Sequence, residues 1–179
     1  VLMAKANARL QTEPVVLAPQ RGVGEVTWRT PIQVNGFTVP LGEKVARLLD
    51  ANRAAMAKGA SFVNSQLYLI NEQKYFASTD GSYIDQDVHR IYPNFFVTAV
   101  DPTTGRFQTR RSISAPSGRG YEYLDADPAG KLPAVGNSTV RYTHSYDLIE
   151  DAAAAARQAR EKLSAKSVAP GQYDLVLDP

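Results

Sequence analysis

The sequence predicts an α+β fold, in which an antiparallel meander sheet of about four to six strands carries two main helices. Three features predict it. Apolar residues recur at helical spacing after Pro40, a β-rich stretch is broken by short turns, and an alanine-rich segment near the C-terminal end has acids before bases. Short turns favour antiparallel pairing, because parallel strands need a long crossover connection. The 179 residues, 44% of them hydrophobic, are enough for one domain with its own core.

The first helix is predicted over residues 40–58. Before it, residues 15–40 are rich in valine and interrupted by prolines, which predicts short strands or extended segments with Trp28 packed against the body of the domain. Pro40 suits the first turn of a helix, where its missing N–H has no bonding partner to lose. Gly59 can end the helix in a left-handed conformation, and the apolar face comprises Leu41, Val45, Leu48, Leu49 and Met56.

The next stretch predicts four antiparallel strands in chain order. Runs at residues 61–70 and 73–79 are separated by Asn71-Glu72, which predicts a two-residue turn. Asp80-Gly81 predicts another turn, since this pair is favoured where both turn residues need positive φ. A long strand from Tyr83 to Val100 follows, and DPTTG turns it into RFQTRRSIS.

A long loop and the second main helix complete the predicted domain. Residues 115–136 carry prolines and glycines at short intervals, which predicts a loop without regular structure, and such loops are typically functional or disordered. The helix is predicted over residues 147–165. Asp147 and Glu150 form a capping box at its start, and Ala152–Ala156 give a small-residue face that lets it lie close to the sheet.

The two ends of the chain predict a piece of a longer protein. Residues 172–178 alternate as a strand does, and the first ten residues resemble the closing turns of a helix. We therefore expect residues 1–179 to form one domain of a longer chain. An exposed last strand would favour association into dimers or larger assemblies.

The composition argues against several classes of protein. No apolar run approaches the roughly 18 residues that a membrane span requires. The chain has no cysteine, which removes disulfides and thiolate metal sites and fits a reducing, cytoplasmic compartment. A net charge of +2 is too small to indicate nucleic-acid binding by itself.

Within these residues the sequence predicts neither a catalytic nor a metal site. The only histidines have carboxylates nearby, and a zinc site would draw on His89, His144, Asp85, Asp87 and Asp147. The histidines lack the spacing of a helical ligand pair, and alternate positions on a strand share a face simply because its period is two. Solvated strand and cap residues are the preferred interpretation.

A serine hydrolase triad of Ser78, His89 and Asp80 is equally unsupported. Ser78 lies in a turn between strands rather than on the strand-to-helix elbow that exposes such a nucleophile. One basic cluster remains, comprising Arg106, Arg110, Arg111 and Arg119. It would suit an acidic ligand or nucleic acid, but a solvated sheet face paired with nearby acids is the commoner arrangement.

Four stretches together resemble the TldD/PmbA family, described as modulators of DNA gyrase and as metallopeptidases, and the resemblance is closer on the TldD side. They are WRTPIQVNGFTVPLGEKVARLLDAN, KYFASTDGSYIDQ, GRGYEYLD and AREKLSAKSVAPGQYDLVLDP, within roughly Val15 to Pro179. No single motif is specific, but four in order at similar spacing are. Gly36 departs from the pattern, since the family has a proline before the phenylalanine, and Asp125–Arg141 is a longer loop than usual.

The resemblance implies that the chemistry lies outside this chain. In the family, a VVLDP-like strand is followed by a helix bearing HExxxH, whose histidines bind zinc and whose glutamate acts as general base. Residues 1–179 contain no such motif, so no catalytic residue is carried over. Zinc is expected in the full-length parent. The chain is implied to be the non-catalytic N-terminal domain of a two-domain peptidase that cleaves unfolded peptides and assembles with a partner subunit.

Two segments are the candidates for facing the substrate. KYFASTDGSYIDQ contributes Ser78 and Asp80, and GRGYE contributes Tyr121 and Glu122, which we expect to face the chamber. The alternative is that these are turn and packing residues only. A competing function is a protein- or DNA-interaction module connected with gyrase modulation, which would use the arginine cluster.

Overall fold

The computed structural model describes residues 1–8, 18–19, 21–125 and 145–176. These residues form an α+β domain, as predicted, with both main helices at the expected positions. The elements are α1 (Leu2–Ala8), β1 (Gly24–Arg29), α2 (Leu41–Ala57), β2 (Phe62–Ser78), β3 (Ser82–Val100), β4 (Phe107–Arg111), a 3₁₀ helix (Tyr121–Leu124) and α3 (Leu148–Leu163).

All the other strands pair with β3. β2 runs antiparallel to one edge of β3 over its whole length, from Phe62↔Thr98 to Ser78↔Ser82. On the other edge β1 pairs in parallel with residues 82–87, and β4 pairs antiparallel with residues 96–100. The sheet is therefore mixed, and the prediction of a pure meander was wrong. The chain between β1 and β3 includes α2 and all of β2, which is long enough for a parallel crossover.

The predicted turn at Asn71-Glu72 was also wrong, because β2 passes through both residues without interruption. β3 pairs with both residues, and side-chain contacts add to this pairing. The Asn71 amide donates to Asp87 Oδ1 at 2.5 Å, and Glu72 Oε2 pairs with Arg90 at 3.3 Å. The turn comes later, between Ser78 and Ser82, where Gly81 has φ of 89°. No non-glycine residue in the described part of the chain has positive φ, so Asp80 does not share this conformation.

One face of the sheet carries the core. Ile91, Phe95, Val97 and Ala99 alternate along β3 and are at most 1% exposed. α2 and α3 cover this face, and their alanines are part of the same core. Such small side chains allow the axes of the two helices to approach each other closely. The prediction of a small-residue face on α3 is confirmed. The buried alanines of the two helices are Ala51 and Ala55 on α2 and Ala152, Ala153, Ala155, Ala156 and Ala159 on α3.

The predicted apolar face of α2 was largely wrong. Leu48 packs against the core, but the other four residues are 44–74% exposed: Leu41, Val45, Leu49 and Met56. The helix buries Ala51 and Ala55 instead, since these are the side chains narrow enough to fit against α3. Trp28, predicted to pack on the body of the domain, is likewise 45% exposed on β1.

Two further predictions, the C-terminal strand and the irregular long loop, differ in part from the structure. Residues 172–176 form no strand, since no described strand lies beside them, and residues 177–178 of that prediction lie outside the described residues. The predicted loop 115–136 is described up to residue 125. This part contains the 3₁₀ helix and a bridge from Ser117 to Ile91, so it is more regular than predicted.

We expect Ala155→Leu to lower the free energy of unfolding by about 1–3 kcal/mol, because Ala155 has no exposed surface and a larger side chain must push α3 away from its neighbours. Urea unfolding measures the change. The matched control is Ala57→Leu at the exposed end of α2, where we expect a change within about 0.5 kcal/mol. Equal effects at the two positions would contradict the close packing.

Candidate functional site

Glu122 holds the described part of the long loop against the segment around Val34. Its two carboxylate oxygens accept hydrogen bonds from the backbone N–H groups of Val34 at 2.8 Å and Gly120 at 2.9 Å. Burial alone would raise the pKa of the Glu122 carboxyl, but these backbone hydrogen bonds outweigh it and hold the pKa below its ordinary value. A Cβ at position 120 would collide with the Val34 carbonyl, so glycine is required for this close approach.

Tyr121 points into the core of the same chain and is 2% exposed. Its backbone N–H donates to the Val34 carbonyl at 2.8 Å, and the Arg47 guanidinium lies 5.9 Å from its ring centroid. Burial raises the pKa of its phenol. Tyr121 and Glu122 therefore have packing and turn contacts within this chain. Their proposed orientation toward a substrate chamber stays a prediction.

Ser78 and Asp80 lie at the tip of the β2–β3 hairpin. The Ser78 hydroxyl donates to Asp80 Oδ2 at 3.3 Å, and Asp80 is exposed. The tip is about 30 Å along β3 from Ile91, where the long loop touches the strand. The structure thus places the two pairs of substrate-facing candidates at separate positions on the domain.

The arginine candidates do not share one surface. Arg110 and Arg111 project to opposite faces of the sheet, as alternate positions on β4 must. Arg111 lies on the face away from the helices, with its guanidinium 4.7 Å from the ring centroid of Phe96. Arg106 is exposed just before β4, and Arg119 is half-buried in the loop. The hypothesis of a DNA- or protein-interaction module stays a prediction.

Arg110 belongs to a buried polar network that the sequence analysis missed. Its Nη1 lies 2.6 Å from Asp151 Oδ1, and its Nε donates to Gln158 Oε1 at 2.9 Å. Asp151 Oδ2 accepts from the Tyr146 hydroxyl at 2.5 Å and from the Ile113 N–H at 3.1 Å. Burial raises the pKa of the Tyr146 phenol, and the hydrogen bond to Asp151 raises it further. In the sequence, Asp151 is only an acid in the first turn of a helix.

A cavity of about 550 Å³ adjoins this network, between α3 and the loop that follows β4. Its walls combine apolar and aromatic side chains with a few polar groups, which is typical of a small-molecule or peptide side-chain pocket. The lining includes Ile113, Pro116, Tyr123, Tyr146, Ala154 and Gln158.

The described residues do not fit a zinc ion. His89 Nε2 lies 2.9 Å from the Asn71 amide and 3.5 Å from Asp87 Oδ1, and Asp85 pairs with Arg29 at 2.5 Å. Asp147 caps α3 by accepting from two backbone N–H groups. Among the described residues no group of three or more histidines and acids is placed to hold a metal; His144 lies outside them.

The face of the sheet opposite α2 and α3, which we call the open face, is covered by no described helix. Register fixes its members, because directly paired residues project to the same side. Many are large and apolar, with Phe62 67% and Phe107 65% exposed. The others with substantial exposure are Val26, Trp28, Tyr68, Ile70, Phe76 and Phe96. Contiguous apolar surface of this kind commonly marks an interaction site.

A layer of two helices on a mixed four-stranded sheet defines an α+β domain, and the other face of its sheet exposes apolar side chains. The family profile described as the PmbA/TldA metallopeptidase central domain matches residues 35–166. Since this is more than half of the chain, the protein belongs to the PmbA/TldD metallopeptidase family. The placement at the N-terminus of the parent and the closer relation to TldD stay predictions.

A search of the curated proteins found no match. Of the helices in the described part of the chain, none has both the length and the apolar character needed to cross a membrane.

The pH dependence of stability tests the Glu122 contacts. Because the folded-state pKa of Glu122 is depressed, its carboxylate stabilises the fold above the unfolded-state pKa of about 4.3, and this contribution is lost as pH falls through the folded value. We expect Glu122→Gln to lower the free energy of unfolding by about 1 kcal/mol at neutral pH, and the difference from the wild type to shrink below about pH 4. Urea unfolding across that range measures it.

The control for this experiment is Glu25→Gln, at an exposed position on β1, where the difference should stay within about 0.5 kcal/mol at every pH. A difference for Glu122→Gln that does not change with pH would mean that the ionised carboxylate is not what stabilises the loop.

We expect Arg110→Met to lower the free energy of unfolding by about 3 kcal/mol, because it leaves the Asp151 carboxylate, 8% exposed, without its cation. Arg53→Met is the matched control, since Arg53 pairs with Asp50 on the exposed surface of α2 and should change stability by at most about 0.5 kcal/mol. Chemical unfolding of both variants measures these changes. Similar losses of unfolding free energy in the two variants would show that the Arg110 pair contributes no more than a surface contact.

Proposed function

We propose that this chain is a non-catalytic domain of a PmbA/TldD-type zinc metallopeptidase, where it contributes to the substrate chamber and to subunit assembly. The observation that carries the proposal is the match of residues 35–166 to the metallopeptidase central domain. On this proposal the zinc is held by the C-terminal domain of the parent, and the substrates are unfolded peptides in the cytoplasm.

The edge of the sheet supports a role in guiding peptides. Among the described strands β2 pairs only with β3, so none of them occupies its outer edge over residues 62–78. An extended peptide can add to such an edge by main-chain hydrogen bonds, which place little demand on its sequence. A peptidase that acts on unfolded segments needs this kind of recognition.

The length of the hairpin supports a role in assembly. Ile91 is the core residue of β3 nearest the tip, and the hairpin continues for about 30 Å beyond it. This projecting part carries exposed apolar side chains on the open face, namely Val26, Trp28 and Phe76. We propose that it contacts the catalytic domain or a PmbA/TldD-type partner subunit.

The test compares two proteins in hydrolysis of an unstructured peptide with added zinc. One is the 179-residue chain, and the other is a longer family chain that continues from it through the HExxxH domain. We expect turnover only in the longer protein, since the described residues converge on no metal site. The longer protein with its HExxxH glutamate changed to glutamine is the control and should be inactive. Zinc-dependent turnover by the 179-residue chain alone would overturn the proposal.

A further inference from the structure

A second cavity, of about 390 Å³, lies on the open face of the sheet. Its floor is the pair Tyr68 and Tyr92, which face each other across β2 and β3 with ring centroids 5.9 Å apart and planes inclined by 19°. Ile70 and Pro116 add apolar walls, and Asn94 lies beside the floor. A stacked aromatic floor with apolar walls favours an aromatic or large apolar side chain.

Two guanidinium groups line the same cavity, from Arg90 and Arg111. Arg90 shares the carboxylate of Glu72 with Lys74, at 3.3 Å and 3.2 Å respectively. Arg111 rests on the Phe96 ring, and within residues 21–125 and 145–176 no carboxylate pairs with it. The strand residues of the open face thus carry three cations against the single carboxylate of Glu72.

We propose that this cavity binds an extended peptide segment in which an aromatic side chain is flanked, two residues away, by a carboxylate. The aromatic ring would lie on Tyr68 and Tyr92, and the carboxylate would pair with Arg111, whose planar guanidinium suits bidentate contact. The proposal deepens the proposed function by naming a class of peptide, and it rests on that function only for the role that the peptide plays.

Strand geometry supports the spacing of two residues. On the open face Asn94 follows Tyr92 at the next alternate position of β3, about 6.8 Å along the strand, and Arg111 is paired with Phe96, one alternate position further. Alternate side chains of an extended peptide that runs along β3 have the same separation. When one of them occupies the tyrosine floor, the next lies over Asn94, at the end of the cavity that Arg111 lines from β4.

The charge of the open face favours an acidic peptide over a second copy of the chain or a nucleic acid. A second copy of the chain would bring the same surplus of positive charge to a two-fold interface, where like charges oppose each other. Nucleic acid would use the tyrosines for stacking, but it draws its affinity from several phosphate contacts. Here Arg111 is the single cavity cation that is not shared with a carboxylate in the described part of the chain.

The experiment measures binding of a fluorescently labelled, end-blocked peptide, Ala-Asp-Ala-Phe-Ala-Asp-Ala, to the 179-residue chain by anisotropy. We expect saturable binding that weakens about tenfold when both aspartates of the peptide are replaced by asparagine, because the charge-assisted pair with Arg111 is lost whichever aspartate forms it. Arg111→Gln should weaken binding of the original peptide by a similar factor and leave binding of the asparagine peptide unchanged. Tyr92→Leu should weaken binding of both peptides about fivefold.

Arg53→Gln, on the exposed surface of α2, is the matched control and should bind as the wild type does. Absence of binding, equal affinity for the two peptides, or tighter binding of a single-stranded oligonucleotide would each overturn the proposal. So would self-association of the chain that Arg111→Gln strengthens and that excludes the peptide. Because binding is measured on this chain, its failure is distinct from a failure of turnover in the longer protein.

Discussion

The pairing of three strands with the 19-residue β3 is the constraint on which the rest of this domain depends. β2 occupies one edge of β3 completely, so β1, the loop at Ser117 and β4 must share the other edge in succession. Half of β3 lies under the two helices and half projects beyond them. β2 and β3 therefore run together from the core of the domain into a long hairpin, where β1 adds the third strand.

The two faces of the sheet have different roles because only one of them receives helices. On the covered face, alanines let α2 and α3 lie close together, and a polar network lies between β4 and α3 beside the larger cavity. The ion pair between Arg110 and Asp151 joins β4 to α3, and the Tyr146 hydroxyl donates to the same carboxylate. On the open face, aromatic side chains remain exposed, and the cations of Arg90 and Arg111 lie among them. On the proposed function, the ligand of this surface is an unfolded peptide.

The long loop illustrates how the domain arranges its candidate residues. Tyr121 and Glu122 belong to one of the four stretches that resemble the family, and the sequence left open whether they face the chamber or serve the fold. In the fold the Glu122 carboxylate replaces the backbone partners that Val34 and Gly120 lack, and Tyr121 becomes part of the core. A residue that fastens a loop and a residue that faces a substrate have the same sequence signature, because both need a polar group in an irregular segment.

The sequence by itself determined the features that depend on neighbours along the chain. These are the α+β class, the bounds of α2 and α3, the cap at Asp147, the turn at Gly81 and the family. Tertiary structure alone decided what depends on distant partners. β1 is parallel to β3, and β2 continues through Asn71-Glu72 because His89 and Val88 of β3 pair with these two residues. α2 buries Ala51 and Ala55 rather than its leucines because α3 brings alanines to that side. Periodicity shows which residues share a face, but the elements packed against a face decide whether it is buried.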